Sequence, residues 1–380
     1  MARTIGWEDL RTLAGFEAEK GCAISLYLNL DPSVTPTRGD AATRLRSLLD
    51  EAAKADGANR RELSHAQREA VRADFERVRA FYEREFTRDG AHGLAVFAAG
   101  LDNFWRDLAL TEAVEDEVKV GRQLYLAPLV PLVGRGEGAI VVVVGREQGR
   151  FYRLRAGRLE EIVDRFDEQP ARHDQGGWSQ ARYQRHIDEL SRDHLREVAE
   201  TLDRLVRRRE GSHVVVVATE EAGPEFGELV SPDARKAIVG WAQAEAHAGP
   251  PELLAAATPV LERWRTEKET ELVERWREAA GRNGRAASGW EETLEAASDG
   301  RVELLLFQDG AERPAWRCPA CGRLAAEAGS CPLDGTAMEA SPDGLDLAVH
   351  QTLVHGGSVW ALRHHQDLDP VEGIGALLRY

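Results

Sequence analysis

AIVVVVG (139–145), GRFYRLRAGRLEEI (149–162), RHDQGGWSQARYQRH (172–186), HLREVAETL (194–202) and HVVVVA (213–218) follow one another through the middle of the chain. The first and last are short, unbroken apolar runs rich in valine, the pattern of strands buried on both faces. The second turns at Gly145 to Gly149 and again at Gly157, which predicts strands over 150–154 and 159–166. The stretch from Asp167 to Gly177 is polar, contains Pro170 and ends in adjacent glycines, so it reads as a loop. A long helix is predicted from Ser179 or Ala181 to Arg209. Strands alternating with helices in this way predict an α/β sandwich.

Working outward toward the N-terminus, Gly134-Arg135-Gly136-Glu137-Gly138 reads as a linker. Before it, AISLYLNL (23–30) alternates as a strand does and stops at Asp31-Pro32. Residues 44–53 and 64–86 have helical periodicity, GLAVFA (93–98) reads as a second buried strand, and another strand is expected near Leu124-Tyr125-Leu126. Toward the C-terminus, Gly249-Pro250-Pro251 is a break. The helix expected over 251–280 would bury Leu261, Trp264, Leu272 and Trp276. After Gly281 to Gly284 come a short helix (290–298), a strand (302–307), a cysteine-containing insert (316–338), a strand (358–362) and a closing run (373–380). The expected fold class is α/β, with three mixed α/β domains over 1–134, 135–275 and 276–380 and a zinc-knuckle-like insert in the last.

Composition narrows the function. The 380 residues are 43% hydrophobic and 30% charged, the proportions of globular protein. A net charge of −16 argues against a protein that coats nucleic acid non-specifically, though not against one that docks at a few basic spots. The N-terminus lacks the basic start and apolar core of a signal peptide, and the longest purely apolar stretch, Ala139 to Val144, is far short of a membrane span. A cytoplasmic address with no membrane partner is expected. No GxxxxGK[ST] motif occurs, so neither a nucleotide nor an organic cofactor is expected.

Two places carry chemistry. Gly176 and Gly177 tolerate close approach by another backbone. Arg172, His173, Arg182, Arg185 and His186 surround them in a chain that is acidic overall. Such a tip suits insertion between phosphates; it also suits a plain solvated loop leading into a helix capped by Ser179. The second place is Cys318-Pro319-Ala320-Cys321, followed by Cys331-Pro332-Leu333-Asp334-Gly335, in which Asp334 replaces the last cysteine of a second knuckle. Three of the four cysteines crowd here, which reads as metal binding rather than a disulfide framework. Zinc accepts three thiolates and a carboxylate, and His350 or His355 is an alternative fourth ligand. A degenerate knuckle held by packing fits the same residues. The Arg204, Arg207, Arg208, Arg209 cluster suits a helix C-terminus by charge alone. His186, Asp193 and His194 read as surface or loop-support residues, and Cys22 as a core thiol.

The ordered series quoted at the outset resembles the central domain of the eukaryotic and archaeal class I peptide chain release factors. GWEETLEAASDGRVELLLF (289–307), GSVWAL (357–362) and EGIGALLRY (372–380) resemble that family's third domain, whose archaeal members also carry cysteine knuckles. CAISLYLNLDP (22–32) and GLAVFAAG (93–100) fit its first domain more loosely. The resemblance implies a release-factor-like arrangement of three domains and a ribosomal partner, with the loop reaching the peptidyl transferase centre from the A site. Two departures matter. Nothing like the family's Asn-Ile-Lys-Ser codon-reading motif stands between Asp31 and Arg61, so stop-codon reading is not expected. The family's catalytic Gly-Gly-Gln is here Gly176-Gly177-Trp178, with Gln180 two residues on. Peptidyl-tRNA hydrolases of the Vms type also displace this glutamine. By that analogy Gly176, Gly177 and Gln180 would be catalytic, and Arg172, Trp178, Arg182 and Arg185 would bind RNA. The activity expected is codon-independent peptidyl-tRNA hydrolysis on stalled ribosomes, with a translational GTPase as a further partner. Pelota-type rescue and Balon-type hibernation factors share the architecture without the hydrolytic motif, so a non-catalytic A-site binder is the alternative.

Overall fold

The computed structural model describes residues 5–59, 63–133, 139–155, 158–162, 180–208, 213–245, 247–281, 284–364 and 367–380. The chain divides into two compact units, one made of residues 1–134 with 267–380 and the other of residues 135–266.

The first segment contains α1 (Trp7–Ala14), β1 (Ala23–Asn29), α2 (Arg38–Asn59), α3 (His65–Arg84), β2 (Gly93–Ala99), β3 (Phe104–Leu110) and β4 (Glu117–Gly121). The strands form an antiparallel sheet in the order β3-β2-β1-β4. Helix α3 starts where it does because Ser64 and Gln67 cap each other's backbone N–H groups reciprocally. Strand β1 is buried on both faces. Ile24, Leu26 and Leu28 lie with Leu45, Leu49, Phe75 and Val78 of α2 and α3, while Tyr27 joins the opposite core. The strand expected at 124–126 does not form. Leu126 and Ala127 turn their N–H groups to the Asp346 carboxylate, at 2.6 and 3.0 Å, and a 3-10 turn over Ala127–Leu132 follows. The sheet's outer places are taken by β3 and β4, FWRDLAL and EVKVG, whose mixed polarity hid them from an apolar-run reading.

The second unit holds β5 (Ile140–Val144), β6 (Gly149–Arg155), β7 (Arg158–Glu161), α4 (Gln180–Arg207), β8 (Val214–Ala218), α5 (Ala222–Leu229), α6 (Pro232–Ala237) and β9 (Ile238–Gln243). Its sheet runs β7-β6-β5-β8-β9, with β5, β8 and β9 parallel and β6 and β7 antiparallel. The valine runs fall on the two central strands, where both faces need cover. Leu195, Val198, Ala199, Leu202 and Leu205 of α4 share one core with Val142 and Val216. Leu253, Ala257, Val260 and Leu261 of α7 (Pro250–Gly281) meet Val141, Val143, Val215 and Val217 on the other face. Burying each such valine contributes about 1.5–3 kcal/mol. The short helices α5 and α6 and the strand β9 were not anticipated from sequence.

The boundary between the units falls within α7, after Thr266. Beyond it come β10 (Ala286–Ser288), α8 (Gly289–Ser298), β11 (Val302–Gln308), β12 (Ala315–Arg317), β13 (Leu324–Ala325), β14 (Glu339–Ser341), α9 (Gly344–Val354), β15 (Ser358–Leu362) and β16 (Ile374–Leu378). One sheet is ordered β10-β16-β11-β15, and a small antiparallel one β13-β12-β14. Leu272 and Trp276 of α7 are buried with Leu306 and Leu377, and the Trp276 indole N–H donates to the Ala287 carbonyl at 3.0 Å. Trp264 is half-buried against the His213 ring. The first and last segments share one core, in which Tyr27, Phe97 and Leu129 join Trp290, Leu294, Leu345 and Val349. Among the described residues no helix is long and apolar enough to cross a membrane.

Candidate functional site

Helix α4 begins at Gln180 and runs for 28 residues, about 42 Å at 1.5 Å per residue. Leu195 is the first of its described side chains to join the core, which sets Gln180 roughly 22 Å further along the axis. Val142 of β5 and Val216 of β8 share that core with α4. Its first turn, Gln180-Ala181-Arg182-Tyr183, holds no acid. The first N–H groups of a helix lack internal partners and carry the positive end of its dipole. Gly176, Gly177, Trp178 and Arg172 fall outside the described residues, as do the side chains of Gln180, Arg182 and Arg185. Farther along, Arg204 donates to the Thr201 hydroxyl at 2.8 Å and Arg207 pairs with Asp203 at 2.7 Å, so both are held by their own helix. Asp193 pairs in the same way with Arg196 at 2.6 Å.

The cysteine cluster is fully described. Cys318, Cys321, Cys331 and Asp334 bring one ligand atom each to within 4.8 Å of one another. The two knuckles are built alike. The Cys318 N–H donates to the Arg323 carbonyl and the Gly322 N–H returns to that of Cys318; Cys331 N–H donates to Thr336 and Gly335 N–H to Cys331. Each tight turn closes on a glycine in the left-handed region, Gly322 at φ 79° and Gly335 at φ 75°. Asp334 therefore stands where Cys321 stands in the first knuckle. Neither His350 nor His355 joins the cluster: His350 lies buried in α9, where loss of water holds its imidazole down at about 4, aided by nearby Arg317.

The donor set fits a tetrahedral ion. Cys321 and Cys331 sulfurs stand 3.5 Å apart, and Cys318 Sγ is 3.5 Å from Asp334 Oδ2. An ion holding sulfurs at about 2.3 Å would space them by roughly 3.8 Å. Burial raises the Cys318 thiol, but the N–H groups of Cys321 and Ala320 and the neighbouring thiols outweigh it and favour the thiolate. The N–H and hydroxyl of Thr336 hold the Asp334 carboxyl down at about 2. The Arg323 N–H lowers the Cys321 thiol, yet burial, the other two thiols and Asp334 push it up to about 11. Thiols and a carboxylate crowded in this way suit a cation. Four protein ligands would fill a tetrahedral shell and leave no open position, which is the layout of a structural centre.

One concavity escaped the sequence reading. A cavity of about 680 Å³ lies between α5 and the ends of β8 and β9, walled by Thr219, Glu220, Gly223, Gly227, Trp241 and Gln243. The signals were present but weak: a Gly-x-x-x-Gly spacing on α5 and a tryptophan in a short strand.

Residues 125–262 match the family described as bacterial archaeo-eukaryotic release factor family 10. The chain is 24% identical over 341 residues to peptide chain release factor subunit 1 of Archaeoglobus fulgidus, covering 85% of this chain and 81% of that protein. It is 24% identical over 245 residues to the protein of the same name from Methanopyrus kandleri, covering 61% and 60%. Of solved structures, ribosome-bound archaeal Pelota aligns with 76% of this chain and 77% of its own at 16% identity and a TM-score of 0.43. Residues 125–262 are thus similar to the bacterial branch of archaeo-eukaryotic release factors, and most of the chain is similar to archaeal release factor subunit 1.

Proposed function

We propose that this protein enters the ribosomal A site without reading a codon and hydrolyses the ester that joins a stalled nascent peptide to its tRNA. The observation that carries this reading is the start of α4 at Gln180, directly after the Gly176-Gly177 loop, within the stretch that matches the release factor family. Gly176 and Gly177 let the loop approach the tRNA 3′ end closely. The Gln180 side-chain amide, with N–H groups of the helix's first turn, positions water and stabilises the oxyanion as it develops. Arg172, Arg182 and Arg185 neutralise ribosomal RNA phosphates on either side. Zinc is the metal that suits Cys318, Cys321, Cys331 and Asp334; it would cross-link the two knuckles and takes no part in hydrolysis.

Peptide release from peptidyl-tRNA stalled on purified ribosomes tests the assignment. The wild-type protein is expected to release peptide and Gln180→Ala to lose that activity; full activity in Gln180→Ala would remove Gln180 from the mechanism. A second reading is motivated by Trp178, which occupies the family's glutamine position. An indole there stacks on an RNA base, worth about 1–3 kcal/mol, and would let the protein hold the A site of idle ribosomes without chemistry. Tight ribosome binding with no release by the wild-type protein is the result that would favour it.

A further inference from the structure

The cavity beside α5 sits at the carboxyl ends of two parallel strands, the position at which open α/β sheets receive ligands. A helix N-terminus at such a place ordinarily seats an anion. Here that role is blocked. Glu220 and Glu221 precede α5, and Glu225 stands in its first turn. Arg146 reaches Glu221 at 3.8 Å, whereas the exposed Glu220, on the cavity wall, has no hydrogen bond or ion pair among the described residues. Among the described residues no lysine or arginine lines the cavity. The field there favours a cation and repels phosphate.

The opposite wall supplies the surface a cation prefers. Trp241 is 42% exposed, the most water-accessible part of β9 that is also large and apolar. Its ring lies over α5 at Gly227, where a Cβ would stand 3.6 Å from Cη2, and meets Phe226 edge-on at 6.2 Å between centroids. Seated in this way, the indole leaves its remaining surface to the cavity. Tryptophan is the best aromatic partner for a guanidinium or ammonium group. Strand β9 is also the end of its sheet, with only β8 beside it among the described residues. An extended peptide can lie along such an edge while its side chains enter the neighbouring pocket.

We propose that this pocket receives an arginine or lysine side chain from an extended basic segment of a protein partner, the cation resting on Trp241 and paired with Glu220. RNA is disfavoured because its phosphates would meet Glu220 on the cavity wall. The inference rests on residues 135–266 by themselves and does not depend on hydrolysis. The test uses the full chain and fluorescence anisotropy with three labelled probes: the peptide Gly-Arg-Gly-Arg-Gly-Arg-Gly, its counterpart with glutamine for arginine, and heptauridylate RNA. The arginine peptide is expected to bind saturably and the other two not. Trp241→Ala and Glu220→Gln should each weaken it by about fivefold or more, with Trp241→Phe in between. Glu51→Gln, an exposed acid in the other unit, should leave binding unchanged. Glu220→Gln alters one exposed loop carboxylate, so it reports even if Trp241→Ala is poorly folded. Equal affinity for wild type and Glu220→Gln, or binding of heptauridylate that Trp241→Phe weakens, would overturn the proposal.

Discussion

Helices α4 and α5 both belong to the second unit, yet their first turns differ in every charged position. Helix α4 opens with Gln180, Ala181, Arg182 and Tyr183 behind two glycines; α5 opens behind Glu220 and Glu221, with Glu225 inside it. The backbone dipole is the same at both, so the side chains alone decide what each end attracts. A bare, basic terminus suits RNA and a developing oxyanion. An acid-capped terminus beside an indole suits a cation. A third terminus, the 3-10 turn at Ala127, is satisfied internally by the buried Asp346 and attracts nothing from outside. Under the two proposals above, one helix terminus of the second unit would serve RNA and another a protein partner, while the turn at Ala127 holds the first and last segments together.

The sharpest way to break this division is to exchange effects between the two ends. Gln180→Ala is expected to lower the rate of peptide release about 100-fold, the usual cost of losing an oxyanion donor. Trp241→Ala at saturating protein should leave that rate alone. Comparable losses in both variants would mean that the two ends act as one site. Next in size is Arg182→Glu with Arg185→Glu. Sedimentation with ribosomes over a salt series should show weaker binding and a log–log salt slope shallower by about 1–2. Trp241→Ala should leave that slope unchanged.

The two knuckles offer a comparison of their own, thiolate against carboxylate at one equivalent position. Elemental analysis should find about one zinc per chain, lost in Cys318→Ser. Asp334→Cys should retain the metal longer against a chelator, since a fourth thiolate is the softer ligand. Loss of metal at the same rate from both proteins would show that Asp334 is not a ligand.

The smallest expected effect concerns the internally satisfied terminus. Burial pushes the Asp346 carboxyl up to about 7, against the pull of the Leu126 and Ala127 N–H groups and with help from Asp343 and Glu312. In the unfolded chain it titrates near 3.9. A folded value above the unfolded one means that its contribution is complete below about 4 and is lost as pH rises through about 7. The melting temperature should therefore decline between about pH 4 and pH 7 and level off above that, and Asp346→Asn should flatten that decline.

Sequence reading succeeded where one residue pattern permits one structure. Four successive valines, twice, can be buried only at the centre of a sheet, and β5 and β8 lie there. Ser64 and Gln67 announce the start of α3 because their side chains satisfy N–H groups that a helix leaves open. The repeated Cys-Pro-x-x-Gly order, read with Asp334 in the last cysteine's place, anticipated a cluster that the fold closes to within 4.8 Å. It failed where partners come from far along the chain. Leu124 to Leu126 is apolar enough for a strand, but Asp346, some 220 positions away, takes the N–H groups that a ladder would need. Strands β3 and β4 are half-exposed edges, so their sequences alternate too loosely to stand out.

The sequence by itself determined the order of strand, hairpin and long helix, and with it the likeness to the release factors, because local hydrogen bonding and burial of contiguous apolar runs need no distant information. It also determined that Cys318, Cys321, Cys331 and Asp334 lie close together, since short glycine turns bring near neighbours into contact. Only the tertiary structure decided that the first and last segments share a core, which α9 and α8 build with β1 and β2 through contacts across hundreds of residues. Only it brought Trp241 over Gly227 and opposite Glu220. Those three residues belong to separate elements, and nothing short of a packed sheet edge specifies where they meet.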